Sequence, residues 1–204
     1  MLRNIFLLLL LVLTTPTLAN ERLPLSDTVT AELANRSEKE IAAYEQMRRL
    51  FKQHHLDKYS VTKHIRFQQF IIPHSHPVLT LNTRTIEDDN KALSTFLHEQ
   101  IHWMEEANLD KVKAAIADFR KLLKDVPSNK KQGGARSEYS TYLHLIVCML
   151  EHDTLESLIG AAAARETTLT HRHYKWIYKQ VLENPALLRS ILKKHGLSFP
   201  SPKS

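Results

Sequence analysis

Hydrophobic and polar positions along the chain predict a protein built mostly of helices. Residues 37–55, SEKEIAAYEQMRRLFKQHH, carry apolar side chains at helical spacing. The apolar stripe comprises Ile41, Tyr44, Met47 or Arg48, and Phe51. Ser37 with Glu40 three positions later is typical of a capping box, so this helix is expected to begin at Ser37.

The period of the pattern changes between residues 59 and 85. The stretches HIRFQQFIIP and HPVLTLNTR contain β-branched and aromatic residues in partial alternation, bounded by Pro73 and Pro77. This pattern predicts two or three short strands. The polar residues 20–36 predict no regular element.

Helical periodicity returns after the strands and continues almost to the end of the chain. The predicted helices span about 91–107, 109–125, a strongly apolar segment beginning at Ser137, 154–165, 171–183 and 185–195. VPSNKKQGGAR, residues 126–136, is the clearest loop. The predicted class is therefore α+β, mostly helical, with a small sheet before the helix at 91–107. A length of 204 residues suits one domain.

The first 19 residues, MLRNIFLLLLLVLTTPTLA, predict a secretory signal peptide. Arg3 precedes a short apolar run, and small residues lead to a cleavage site after Ala19. An uncleaved N-terminal anchor is the alternative. We therefore expect a secreted or periplasmic domain over 20–204 with no stable membrane span after cleavage, because no other long apolar run exists.

Charge and cysteine content narrow the possible functions. The net charge is +6, but the basic residues are scattered except for Lys130 and Lys131 in the loop. No basic stripe alternates with aromatic residues, so we expect no nucleic-acid partner. Cys148 is the single cysteine and lies in the apolar run LHLIVCML, which predicts a buried small hydrophobe and excludes an internal disulfide bond.

The most informative stretch is FLHEQIHWMEE, residues 96–106, which contains His98, Glu99 and His102 as H-E-x-x-H. Residues four apart share one helix face with Cβ atoms about 5–6 Å apart, so the two imidazoles can bind one cation. Zinc prefers such nitrogen ligands, and the predicted cofactor is Zn²⁺. Glu99 lies about 100° around the helix, from where it can deprotonate a water molecule as general base.

Strands followed by an H-E-x-x-H helix and a later helix bearing glutamates resemble a zincin metallopeptidase of the gluzincin type. The resemblance covers roughly residues 76–152 and is specific at His98, Glu99 and His102. It implies a third zinc ligand from a glutamate on a later helix, and a histidine or tyrosine that stabilises the oxyanion. The chain lacks the metzincin extension, since Glu105 and Asn108 occupy those positions.

Glu138 and Glu151 are the candidates for the third ligand. Both lie in or beside the most apolar predicted helix, where an unpaired carboxylate would be costly. Glu138 is preferred because a metal would compensate its charge at the start of that helix. Glu105 or Glu106 is expected to orient a ligand histidine. His144, inside the apolar helix, is expected to be a core histidine with one hydrogen bond.

The segment HRHYKWIY, residues 171–178, is the best source of an oxyanion stabiliser. His173 or Tyr174 is preferred, with Tyr142 in reserve.

The sequence therefore leads us to expect an exported zinc metallopeptidase that acts on a peptide or protein substrate. The peptide would pair with the edge strand PVLTLNT, residues 77–83, and the loop 126–136 would act as a lid. The alternative is a non-catalytic exported zinc-binding or protein-interaction domain with a zincin-like fold. A metallohydrolase that cleaves amides other than peptides is also open.

Overall fold

The structure is a computed structural model that describes residues 22–200, so the predicted signal peptide at 1–19 lies outside the described residues. One sheet contains β1 (Leu23–Pro24), β2 (Thr30–Leu33), β3 (His64–Phe67) and β4 (Leu79–Leu81) in that order. The pair β1–β2 is antiparallel, and β2–β3 and β3–β4 are parallel.

Helices make up most of the described chain, and the predicted α+β class is confirmed. They are α1 (Glu38–His54), α2 (Asp89–Glu106), α3 (Leu109–Leu122), α4 (Glu138–Ile159), α5 (Ala161–Leu169), α6 (Lys175–Glu183) and α7 (Pro185–Lys194). Short 3₁₀ turns occur at Leu56–Tyr59 and Lys130–Gln132. Within residues 22–200, none of the helices has the length and apolar character needed to cross a bilayer.

Three differences from the predicted elements have local causes. β2 lies in a segment that looked irregular, because Glu32 interrupts the apolar pattern and is held by Arg66 and His64 of the neighbouring strand. α4 continues without a break to Ile159, where the predicted pattern had suggested a new helix. α6 begins only after Tyr174, whose left-handed backbone (φ 57°) leaves residues 171–174 as a loop.

The hydrophobic core has two parts that meet along α2 and α4. The first lies between the sheet, α1 and the N-terminal half of α2, and the second lies among α3, α4, α6 and α7. Phe96 of α2 belongs to the first part and Ile101 to the second. Polar side chains on the α2–α4 contact are therefore largely buried between the two parts of the core.

The predicted capping box of α1 is present, and it does more than start the helix. The Glu40 carboxylate is fully buried and accepts hydrogen bonds from the backbone N–H groups of Asn35, Ser37 and Gln69. It thereby ties α1 to the chain that follows β3. Ile41, which the pattern placed on the buried stripe, is instead 45% exposed, because α1 turns Ala43, Met47 and Leu50 inward.

Replacing Glu40 by Gln tests this junction and its pH dependence. Burial opposes ionisation of Glu40, but the hydrogen bonds from Asn35, Gln69 and Ser37 outweigh it and hold the carboxyl pKa below its ordinary value. A lowered folded-state pKa stabilises the fold above the unfolded pKa, and that stabilisation is lost on acidification. Glu40→Gln should reduce the free energy of unfolding by about 1–3 kcal/mol at pH 7, measured by urea denaturation.

The difference between Glu40→Gln and the parent should shrink below about pH 4, where the parent carboxylate takes up a proton. Glu38→Gln is the matched control, since Glu38 lies in the same first turn but is exposed. Equal stability losses in the two variants at pH 7 would show that the buried hydrogen bonds contribute little.

Candidate metal centre

α2 carries His98 and His102 on one polar stripe, with Glu99 about 100° around the helix. The helix begins after Asp88, whose carboxylate accepts a hydrogen bond from the Lys91 N–H at 3.0 Å. Its apolar residues at helical spacing enter both parts of the core, and Ser94, His98 and His102 follow one another at four-residue intervals on the remaining face. The apolar pattern thus fixes the direction in which both imidazoles point.

α4 provides the facing polar stripe. This helix is buried on almost every side, yet His144, Cys148 and Glu151 occupy successive turns of one face. That face meets the polar stripe of α2, where the Nδ1 atom of His98 lies 2.8 Å from the Glu151 carboxylate. Two apolar helices therefore enclose a strip of titratable side chains.

Three imidazoles converge where these stripes meet. His98, His102 and His144 each offer one ligand atom, and these atoms all lie within 4.8 Å of one another. The ring centroids are 5.0 Å apart for His98 and His102, and 5.2 Å apart for His102 and His144. The third pair, His98 and His144, has centroids 5.6 Å apart. Such a group has the size of a site for one metal ion.

The second nitrogen of each ring is held by an acceptor. Nδ1 of His98 lies 2.8 Å from Glu151, Nδ1 of His102 lies 2.7 Å from Glu105, and Nδ1 of His144 lies 2.7 Å from the Ser140 carbonyl. An acceptor at Nδ1 places the proton there and leaves Nε2 as the lone-pair nitrogen. Metal-bound histidines in proteins almost always have this outer hydrogen bond.

Burial keeps two of the imidazoles neutral. It lowers the pKa of His102 to about 4 and that of His144 to about 3, with the charge of His98 contributing in both cases. At pH 7 both rings can therefore offer a lone pair. Burial also acts to lower the pKa of His98, but hydrogen bonds to Cys148 and Glu151 outweigh it and raise that pKa well above its ordinary value. A proton thus competes with a cation at His98.

Glu151 organises the inner side of the site. Its Oε1 accepts a hydrogen bond from Ser94 Oγ, which in turn lies 2.9 Å from Nε2 of His171. Its Oε2 accepts from His98 and from the Tyr178 hydroxyl at 2.9 Å. Burial disfavours the charge, but the bonds from His171 and His98 hold the pKa of Glu151 below its ordinary range. Glu151 therefore remains an anion that orients His98.

Glu105 supplies a test of whether a cation fits. Its side chain is 4% exposed, burial raises its pKa well above the ordinary value, and its Oε1 is a buried atom without a hydrogen-bond partner. Without a cation nearby the Glu105 carboxyl group favours its protonated form, and a positive charge beside it would favour the carboxylate. A divalent cation at Nε2 of His102 would provide that charge, so the residues present fit a metal ion.

A second group, His98 with Cys148 and Glu151, also has its ligand atoms close together. Hydrogen bonding explains the closeness of these atoms without a metal, because Glu151 already accepts hydrogen bonds from three side chains. Burial raises the pKa of Cys148, so the thiol stays protonated as long as no metal is bound to it. The expectation that Cys148 is buried is confirmed.

Glu99 opens onto a cavity of about 410 Å³ that His98 also lines. The Glu99 side chain is only 7% exposed, and no residue between 22 and 200 donates a hydrogen bond to its carboxylate. It thus faces the cavity with both oxygens available, as a general base requires.

The structure brings both predicted oxyanion candidates to the same cavity. His173 and Tyr174 line it, and the Tyr174 ring lies 4.4 Å from the ring of His144 and 5.8 Å from that of His98, centroid to centroid. His173 is exposed at the rim. The reserve candidate, Tyr142, lies elsewhere: its hydroxyl donates to the Leu123 carbonyl at 2.8 Å, and its ring packs in the second part of the core.

Glu138, the preferred third ligand, does not join the histidines. Its side chain is half exposed at the first turn of α4 and lies 3.7 Å from Arg120. Among the described residues it belongs to no group that could hold a metal. Water solvates this end of α4, so the Glu138 carboxylate needs no metal to compensate its charge. His144, six residues further along the helix, occupies the position that Glu138 was expected to fill.

The predicted peptide-binding edge at 77–83 is already paired in part. The N–H and C=O groups of Thr80 in β4 bond to the C=O and N–H groups of His74, at 2.8 and 3.1 Å. A peptide cannot add to β4 at Thr80 without displacing this contact. The segment before β4 contributes Ile72 and Pro73 to the cavity wall instead.

The predicted lid, 126–136, forms another wall of the cavity through Lys130, Lys131, Gly133 and Gly134. Its closure over the site remains a prediction.

His144 is the site residue that sequence reasoning missed. It has the expected hydrogen bond of a core histidine, to the backbone carbonyl of Ser140. His144 and Glu151 are seven residues apart on an apolar helix, and this spacing was the signal that they share one buried polar stripe.

Replacing His144 by Ala should remove one ligand and weaken zinc binding by more than about 100-fold, beyond the loss typical of outer hydrogen-bond partners. Glu138→Ala, on the same helix, should leave zinc affinity nearly unchanged. Competition with a chromogenic chelator measures both, and circular dichroism checks that each variant folds. Strong loss for Glu138→Ala with none for His144→Ala would restore the original ligand assignment.

Glu151→Gln should weaken zinc affinity by about 10–100-fold without abolishing it, since the neutral amide orients His98 less well than the carboxylate does. Glu156→Gln is the control, because Glu156 lies on the same helix but pairs with Arg189 outside the site. The same chelator competition measures both variants. Unchanged affinity in Glu151→Gln would mean that Glu151 does not support a bound metal.

Comparisons of the chain with protein-family models, with curated proteins and with solved structures found no match. The function must therefore be inferred from the geometry of these residues.

Proposed function

We propose that the chain is an exported zinc-dependent hydrolase that cleaves peptide bonds. The observation that carries the proposal is the convergence of His98, His102 and His144, each with its Nδ1 atom on an acceptor. Three imidazoles with ligand atoms within 4.8 Å of one another, beside a cavity that His98 lines, resemble the ligand set of a catalytic zinc site, which keeps one position open. Zinc would have to displace the proton of His98, whereas His102 and His144 are already neutral. Export rests on the pattern of residues 1–19.

Zinc in such a site polarises a carbonyl group and acidifies water. The protein's own residues then have separate tasks. Glu99, at the cavity wall beside His98, takes the proton of the attacking water and later gives it to the departing amine. Its placement suits this role, because a carboxylate free of protein hydrogen bonds can turn toward a water molecule.

Tyr174 is the better of the two oxyanion candidates. Burial raises the pKa of its phenol, so the hydroxyl keeps its proton at neutral pH and can donate a hydrogen bond to developing negative charge. Its left-handed backbone (φ 57°) turns the chain just before α6 and directs the ring against His144. His173 is its exposed neighbour and can contact substrate at the rim.

The cavity favours a hydrolase over a site that only stores metal. A volume of about 410 Å³ falls within the range of small-molecule sites and admits a short stretch of peptide. A storage site needs no accessible carboxylate beside the cation, yet Glu99 opens onto the cavity. The non-catalytic alternative therefore leaves the position of Glu99 unexplained.

Glu99→Gln separates chemistry from metal binding. The amide keeps the shape of the side chain but cannot accept the proton, so peptide cleavage should fall by about 10²–10⁴-fold. Bound zinc should stay near the parental amount, because the three histidines are untouched. His98→Ala should lose metal and activity together.

The measurement pairs zinc content by atomic emission with cleavage of a quenched fluorescent peptide library. Thr95→Ala is a control, since Thr95 lines the same cavity but its hydroxyl bonds only to the Lys91 carbonyl. Parental cleavage by the Glu99→Gln protein would rule out the proposed mechanism. Absence of zinc from the parent protein would rule out the metal site.

A further inference from the structure

We infer that the cavity selects substrates that carry a carboxylate next to the segment bound over Glu99. The inference rests on the proposed function only where it concerns cleavage, since the binding preference follows from the cavity wall itself. The source of the carboxylate is either an acidic side chain or a free peptide C-terminus.

Charge at the cavity is strongly one-sided. Lys130, Lys131, Arg172 and Lys175 line it, and among the described residues Glu99 is the only acidic one in its wall. The Glu151 anion lies behind the wall, where Ser94, His98 and Tyr178 already donate hydrogen bonds to it. All four cationic side chains are exposed, and none forms an ion pair with a residue in the described part of the chain. Their charge is therefore available to a ligand.

Several basic residues elsewhere in the fold have acidic partners. Arg49 bonds to Asp89 through two nitrogens at 2.7 Å, and Arg189 lies 2.7 Å from Asp153. Lys194 lies 2.6 Å from Asp118. The cavity rim therefore differs from these surfaces in gathering cations without acids beside them.

The two segments that carry these cations are fixed against each other. The Trp176 N–H donates to the Gly133 carbonyl at 3.0 Å, which joins the loop of Lys130 and Lys131 to the start of α6 beside Lys175. Gly133 has φ +84°, and a Cβ atom there would lie 2.8 Å from the Trp176 nitrogen. Only glycine permits this close approach, which places the four cations around one opening.

The same loop is tied down on its other side. A Cβ atom at Gly134 would lie 2.7 Å from Thr141 Oγ1, and the Thr141 hydroxyl donates to the Pro127 carbonyl at 2.7 Å. The Ala135 N–H donates to that hydroxyl oxygen at 2.9 Å. A loop held at both ends presents its lysines with little entropic cost when a ligand binds.

The size and lining of the cavity favour a peptide carboxylate over a polynucleotide. Nucleic-acid binding needs a cationic track that follows several phosphates, whereas these charges surround one opening of about 410 Å³. Ile72 and Pro73 add an apolar wall beside the cations. A short peptide with a hydrophobic side chain and a nearby carboxylate matches both features.

Four dansyl-labelled, alanine-rich hexapeptides that contain one Phe test the preference directly. They differ in whether Asp or Asn flanks the Phe and in whether the C-terminus is free or amidated. Fluorescence anisotropy measures their binding to zinc-loaded Glu99→Gln protein, which does not consume them. We expect at least one carboxylate to tighten binding by about 10-fold at low salt, and the gain to shrink near 0.5 M salt because the rim is exposed.

Two rim variants in this background locate the effect. One variant carries both Lys130→Ala and Lys131→Ala, and the other carries Arg172→Ala. Each should reduce the preference for carboxylate peptides by about 3- to 10-fold and leave binding of the neutral peptide unaffected. Lys111→Ala combined with Lys113→Ala is the matched control, since both lysines are exposed on α3 and neither lines the cavity. The Asp and free C-terminal peptides identify which carboxylate the site prefers.

Equal affinity for all four peptides would overturn the inference, and so would equal losses in the rim and control variants. An oligothymidylate that binds the rim more tightly than every acidic peptide would overturn it in favour of a phosphate ligand. Preference for carboxylates with no cleavage of any peptide by the parent protein would refute the proposed hydrolase and support the binding inference. The two failures are thus distinguishable.

Discussion

The packing of α2 against α4 buries most of a strip of titratable side chains and leaves His98 open to a cavity, and the rest of the site depends on this partial burial. Unpaired imidazoles and carboxylates in such a place would cost the fold several kcal/mol each. Hydrogen bonds offset this cost, since the Glu151 carboxylate accepts them from Ser94, His98 and Tyr178. What remains without a hydrogen-bond partner is one oxygen of Glu105, beside three imidazoles that could share a cation.

The hydrogen bonds and the proposed metal ligation therefore use opposite sides of the same histidines. Their Nδ1 atoms face acceptors inside the protein, and their remaining nitrogens face one another near a cavity. The hydrophobic residues of α2 and α4 hold this arrangement because they enter two parts of the core at once. Few side chains could change at the α2–α4 contact without disturbing either the core or the imidazole geometry.

Periodicity in the sequence was sufficient to predict the α+β class, the start of α1 and the helix that carries His98, Glu99 and His102. It was not sufficient for the third residue of the group. The choice between Glu138 and His144 depends on how far along α4 the contact with α2 lies, and a single sequence contains no distance between two helices. The strand β2 was missed for a related reason, because its Glu32 is compensated by Arg66, a partner that only the sheet brings near.

The three histidines also affect how the chain is held together. His102 and His144 belong to helices about forty residues apart in the sequence, and a cation shared between them would close that loop as a cross-link. A chain with a single cysteine has no internal disulfide bond available for this purpose. Unlike a disulfide bond, a cross-link made by a metal ion would be removed by a chelator or by acid. The lifetime of the folded protein would then depend on the supply of metal around it.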